Sequence, residues 1–125
     1  VTAVLDSGAL IAVDRRDRSV GAMLRVLQQQ GTPVHTSSAV VAQVWRDGRR
    51  QVNLTRVLTG VDIAPLDDVA AKRVGELLAL TGTRDIADAH VALLARPGDL
   101  VLTSDLTDIA ALLAARRVAA ELVRV

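Results

Sequence analysis

Apolar residues along this chain alternate between short β-branched or aliphatic runs and longer stretches with three- and four-residue spacing, as expected of strands interleaved with helices. Thr2 to Leu5 is a strand-like run that stops at Asp6. Ser7 to Val13 reads as a short helix, and Ser19 is a candidate cap for a longer one reaching about Gln30. Gly31-Thr32-Pro33 breaks that helix, and Val34 to Thr36 is the second strand candidate. Ser37 or Ser38 caps a helix through about Trp45, Gly48 marks a break, and Arg49 to Leu58 resumes helical spacing. Val61 to Leu66 is the third strand, its Pro65 pointing to an edge or a strand end. Asp67 or Asp68 opens a helix to about Leu80, closed by Gly82, and Asp85 opens another over Ile86 to Ala95, ended by Pro97-Gly98. Leu100 to Thr103 is the clearest strand after the first and again runs into an acidic residue. Leu106 to Ala115 reads as a helix, and Leu122 to Val125 as a last short strand.

Strands alternating with helices predict an α/β fold, a mostly parallel sheet covered on both faces. The 125 residues carry no repeat and no linker, so the expectation is one domain over 1–125. Half the residues are apolar, almost all Ala, Val and Leu, with Trp45 the only aromatic, which suits helices packed on a Val-rich sheet. No cysteine is present, which excludes disulfides, thiolate zinc sites and a cysteine nucleophile. Two histidines, His35 and His90, are too few for a histidine-based metal cluster, so any metal here is held by oxygen, as Mg²⁺ or Mn²⁺ is. A net charge of +1 does not announce nucleic-acid binding. No apolar stretch is long enough for a membrane span and the first residues do not read as a signal peptide. The chain does not begin with Met, which leaves a trimmed start open, and the default expectation is a cytoplasmic protein.

Ligands of open α/β sheets bind beyond the carboxyl ends of the strands. Asp6 and Asp105 follow two strand candidates at that edge, and Asp88 lies in the first turn of the helix that Asp85 opens. If the two strands are neighbours, Asp6 and Asp105 come within roughly 5–10 Å of each other. Three carboxylates so placed repel one another, and a divalent cation relieves the repulsion. Such a set, with no His, Cys or Lys nucleophile beside it, suits phosphodiester hydrolysis by an activated water. Each aspartate also has a plainer reading: Asp85 and Asp105 as helix caps, Asp88 as a first-turn acid.

At these residues the chain resembles the PIN domain family, and within it the VapC-type toxins of bacterial toxin–antitoxin pairs. The segments that carry the likeness are Val4 to Ala12, Ser37 to Arg46, Asp85 to Ala95 and Leu102 to Asp108, in the family's order. The resemblance implies a three-layer α/β/α domain with a five-stranded sheet, a divalent metal site, and endoribonuclease activity on structured RNA such as tRNA. It also implies a homodimer and a cognate antitoxin whose C-terminal segment crosses the active site. Asp6, Asp88 and Asp105 fall on ligand positions; the second segment normally carries Glu where this chain has Gln43. Gln keeps an oxygen but loses the charge, so Gln43 is expected to position a water. Asp47, one turn further if that helix continues past Arg46, and Asp108 are candidate substitutes.

Ser7, Thr103 and Ser104 either position water or phosphate through their hydroxyls or cap the helices that follow. His90 lies about 200° round its helix from Asp88 and is read as structural. Trp45 either stacks on a base or packs. Arg46, Arg49, Arg50 and Arg56, and Arg15, Arg16 and Arg18 near the expected cleft edge, either meet RNA phosphates or an acidic antitoxin segment, or form a solvated face. Two other functions stand beside the nuclease. One is a catalytically weakened PIN-like module that binds RNA or a partner, which Gln43 keeps open. The other is a receiver or phosphotransfer domain, which lacks its lysine because Lys72 sits far from the aspartates. No Gly-rich phosphate loop is present.

Overall fold

A computed structural model describes all 125 residues. Five strands, β1 (Ala3–Leu5), β2 (Val34–Ser37), β3 (Asp62–Ala64), β4 (Leu100–Thr103) and β5 (Glu121–Arg124), form one parallel sheet in the order β3-β2-β1-β4-β5. Seven helices connect them: α1 (Ser7–Asp14), α2 (Arg18–Gln29), α3 (Ser38–Val44), α4 (Val52–Leu58), α5 (Asp68–Thr81), α6 (Ile86–Leu94) and α7 (Leu106–Arg116). Helix α1 packs with α2, α3 and α4, whereas α5, α6 and α7 pack with one another, giving the two helical layers of an α/β/α arrangement. The central strand β1 is buried along its whole length, as are Val101 and Leu102 of β4. Strands covered on both faces read as unbroken apolar runs, which is why these two stand out in the sequence.

Several boundaries differ from the pattern, each through local polar chemistry. Helix α2 is capped by Asp17, whose Oδ1 accepts from the Val20 amide at 3.0 Å, so the helix starts before Ser19. Strand β3 is shorter than Val61 to Leu66, and the Leu66 amide donates to Ser38 Oγ at 2.8 Å instead of joining a ladder. Helix α3 ends at Val44, and α4 does not begin until Val52. Between them the buried Gln51 folds back on the chain, accepting from the Arg46 and Asp47 amides and donating to Val44 O at 2.9 Å and Asp14 Oδ2 at 3.2 Å. A side chain that takes over backbone partners in this way competes with helix formation, so Arg49 and Arg50 stay outside α4.

The amino edge of the sheet is closed by Asp99. Its Oδ1 accepts from the Thr2 amide and its Oδ2 from the Arg96 amide, both at 2.8 Å, so this buried carboxylate locks β1 beside β4. At the end of α6, Arg116 Nη1 donates to the carbonyls of Ala92 and Ala95, tying α7 to the helix whose other end carries Asp85 and Asp88. No helix is long and apolar enough to cross a membrane.

Candidate metal centre

In this strand order the connection from β1 leads toward β2 and that from β4 toward β5, so the carboxyl ends of β1 and β4 form the switch point where open sheets bind ligands. Asp6 stands there, directly after β1 and 1 % exposed. Its Oδ1 accepts from the Ser7 amide at 2.7 Å and its Oδ2 from Thr103 Oγ1 at 2.7 Å. Thr103 ends β4 and is fully buried; the same Oγ1 accepts from the Asp105 amide at 2.9 Å. One hydroxyl thus orients two acidic residues from neighbouring strands.

Helices α6 and α7 bring the rest by the same local device. Asp85 caps α6 by accepting from the Asp88 amide at 2.9 Å, and Asp105 caps α7 by accepting from the Asp108 amide at 3.3 Å. Each helix therefore starts with a capping aspartate and carries a second one in its third position. The capping readings hold, and they do not exhaust these residues. Carboxylate oxygens of Asp88, Asp105 and Asp108 lie within 4.8 Å of one another. Asp108, not Asp6 as expected from the sequence, completes the trio: both oxygens of Asp6 accept hydrogen bonds, and its charge still acts on Asp88. Asp85, expected only as a cap, carries charge into the same crevice; its spacing from Asp88, repeated at Asp105 and Asp108, was the available signal.

The electrostatics follow from burial and crowding. Burial, then the charges of Asp6, Asp85, Asp105 and Asp108, raise the Asp88 carboxyl to about 7. Burial also raises Asp6, with Asp85 and Asp105 adding to it and the Thr103 and Ser7 hydrogen bonds opposing. Asp108, on the surface, is raised by its hydrogen bond with Asp105 and by that residue's charge. A set of carboxylate oxygens with no sulfur or nitrogen among them fits a hard divalent cation such as Mg²⁺ or Mn²⁺.

Thr103 gives a direct check. In Thr103→Val, Asp6 Oδ2 and the Asp105 amide lose their partner. Loss of an orienting hydrogen bond behind a metal ligand lowers metal affinity by about 10–100-fold, and the unpaired buried groups cost about 1–3 kcal/mol of stability. Calorimetric Mn²⁺ titration and thermal melts in EDTA measure both. An unchanged Mn²⁺ affinity removes Thr103 from the centre.

The walls of the crevice touch at Gly8. A Cβ there would overlap Ser104 Oγ and stand 2.8 Å from Ser104 Cβ, so only glycine lets α1 approach the β4–α7 turn this closely. Gln43 lies exposed on α3, and its side chain hydrogen-bonds to no residue of the chain. Asp47 is not one turn beyond it, because α3 has already ended; Asp47 Oδ1 instead accepts from the Arg49 amide at 3.0 Å. His90 turns away from the acidic crevice and is buried, its Nδ1 2.6 Å from Ser37 Oγ, with burial lowering its pKa. Trp45 is 38 % exposed, its ring packed so closely on Gly48 that a Cβ there would meet it at 2.9 Å.

Arg16, Arg18 and Arg56 lie at the other end of the molecule. Helices α1 and α3 run back from the carboxyl ends of their strands, and Gln51 joins the residues after α3 to Asp14 at the end of α1. Arg16 and Arg18 line a cavity shared with Pro33 and Val34 at the start of β2, and with Asp62 at the start of β3. They therefore lie at the amino edge of the sheet, not beside the acidic crevice as the sequence suggested. Arg46 Nη1 donates to the carbonyls of Ala42 and Trp45, and Arg49 Nε meets Asp47 Oδ1 at 3.4 Å.

A scan against family models and a comparison with curated proteins find no match. Among solved structures, the crystal structure of VapBC2 from Rickettsia felis bound to a DNA fragment from its promoter contains a chain similar to this one. The match has a TM-score of 0.68 at 15% identity and covers 100% of this chain and 99% of that one. The chain has a PIN/VapC-type fold. Agreement over the whole length at such low identity is a likeness of architecture, and in this PIN-type frame the acidic crevice sits at the carboxyl ends of β1 and β4.

Proposed function

We propose that this chain is a metal-dependent endoribonuclease, the toxin of a toxin–antitoxin pair, cutting phosphodiester bonds in structured RNA such as tRNA. The observation that carries the reading is the convergence of Asp6, Asp85, Asp88, Asp105 and Asp108 on the strand switch point, with Asp88 raised to about 7. The likeness in fold to VapBC2 supports an antitoxin partner, and a homodimer belongs to the same reading.

Asp88, Asp105 and Asp108 would hold Mg²⁺ or Mn²⁺, with the charge of Asp6 beside them. Bound there, the cation offsets the charge on phosphate oxygens and makes water a better nucleophile at neutral pH. The chain's own residues do the rest. Thr103 and the Ser7 amide hold Asp6 in one orientation, and the caps of α6 and α7 hold Asp88 and Asp105 facing the crevice. Without a cation, burial and the neighbouring charges leave Asp88 partly protonated at neutral pH, and a bound cation would favour its ionised, ligating form. Gln43 remains the candidate for positioning water.

The test is an RNA cleavage assay with and without Mn²⁺, comparing the chain with Asp6→Asn. Metal-dependent cuts that vanish in the variant are the expected outcome. RNA binding with no cutting by either protein would replace the enzyme with a binding module.

A further inference from the structure

A half-open groove of about 1050 Å³ lies between α2 and the end of α4, far from the acidic crevice. Arg16, Arg18, Arg25 and Arg56 rim it. Its two carboxylates offset only part of that charge and form no ion pair with the arginines: Asp17 caps α2 through the Val20 amide, and Asp62 meets His35 Nε2 at 3.4 Å. None of the four guanidinium groups takes part in an ion pair, and all four residues are exposed. Arg18 and Arg25 stand two turns apart on α2, about 10 Å along its axis. Gln28 and Asn53 line the same groove and add amide donors and acceptors.

We propose that this groove seats a stretch of RNA backbone outside the bond to be cut. The choice of RNA rests on the ribonuclease reading above. A cluster of carboxylates repels a polyanion, so an RNA held at that edge needs cationic surface elsewhere on the molecule. This groove offers four unpaired arginines on one continuous surface. Guanidinium groups spaced along a groove neutralise backbone phosphates whatever the base sequence. An acidic protein segment is the competing occupant.

The experiment uses the whole chain in EDTA with a fluorescent uridine-only single-stranded RNA, followed by anisotropy between about 50 and 200 mM salt. Arg25→Gln combined with Arg56→Gln should weaken binding about tenfold or more, and flatten the log–log salt slope by about 1.4, near 0.7 for each phosphate no longer neutralised. Arg73→Gln, on the exposed side of α5, should leave both unchanged. Unchanged affinity and slope in the double variant overturn the proposal, as does an equal weakening in Arg73→Gln. Displacement of the RNA by a short polyglutamate as readily as by unlabelled RNA overturns it in favour of an acidic protein segment. Because no metal is present, a failure of metal-dependent cutting elsewhere leaves this result standing.

Discussion

Replacing Asp88 with asparagine should make the metal-free protein more stable while destroying metal-dependent cleavage. Asp88 is 6 % exposed and faces the charges of four other aspartates, which together with burial raise its carboxyl to about 7. At pH 8 in EDTA the carboxylate is ionised against that repulsion, and asparagine removes the charge with little change in shape. The expected gain is about 1 kcal/mol, roughly 3–5 °C in the melting temperature of a chain this size. Mn²⁺ affinity should collapse, and cleavage should fall by at least about 10²-fold, the scale of removing one preorganised electrostatic interaction from a transition state. Thermal melts, Mn²⁺ titration and RNA cleavage read the three effects. A variant that melts lower in EDTA shows that Asp88 is not held against repulsion.

Metal affinity should also depend steeply on pH. A cation competes with the proton on Asp88, so Mn²⁺ affinity should rise about tenfold per pH unit below 7, about a hundredfold between pH 5 and pH 7, and level off above. Stability without metal should move the opposite way. The folded-state value of Asp88 lies above its ordinary 3.8, so between these limits the folded chain binds more protons than the unfolded one. The resulting stabilisation is present in full below 3.8 and is lost as pH rises through 7; the raised value of Asp6 acts in the same direction. Titrations and melts across pH 5 to 8, with Mn²⁺ and with EDTA, should therefore give opposite slopes. A flat Mn²⁺ affinity across that range places metal binding away from Asp88.

Much of the architecture was legible because burial leaves a pattern. Strands β1 and β4, covered on both faces, show as apolar runs ending on acidic residues, and their adjacency puts Asp6 level with Thr103. The region between α3 and α4 was not legible. Arg49 to Gln51 fit helical spacing, but the Gln51 amide group bonds back across the chain to Val44 and Asp14, an interaction no periodicity encodes. The acidic site was read in outline. Asp85 and Asp108 were harder to weigh because the residue type that caps a helix is also the type that ligates a metal. Only the fold shows that both capped starts face one crevice. The arginines near Arg16 were placed at the wrong end, since nearness to Asp6 in sequence says nothing about which way α1 runs.

The placement of acids at the carboxyl edge and arginines at the amino edge has one more consequence. A net charge of +1 conceals an uneven distribution, with five aspartates around one crevice and four exposed arginines, partly offset by Asp17 and Asp62, around a groove at the opposite edge. With the two clusters at opposite edges, a cation that neutralises the aspartates acts on one of them and leaves the arginine groove beyond the screening length of about 8–10 Å.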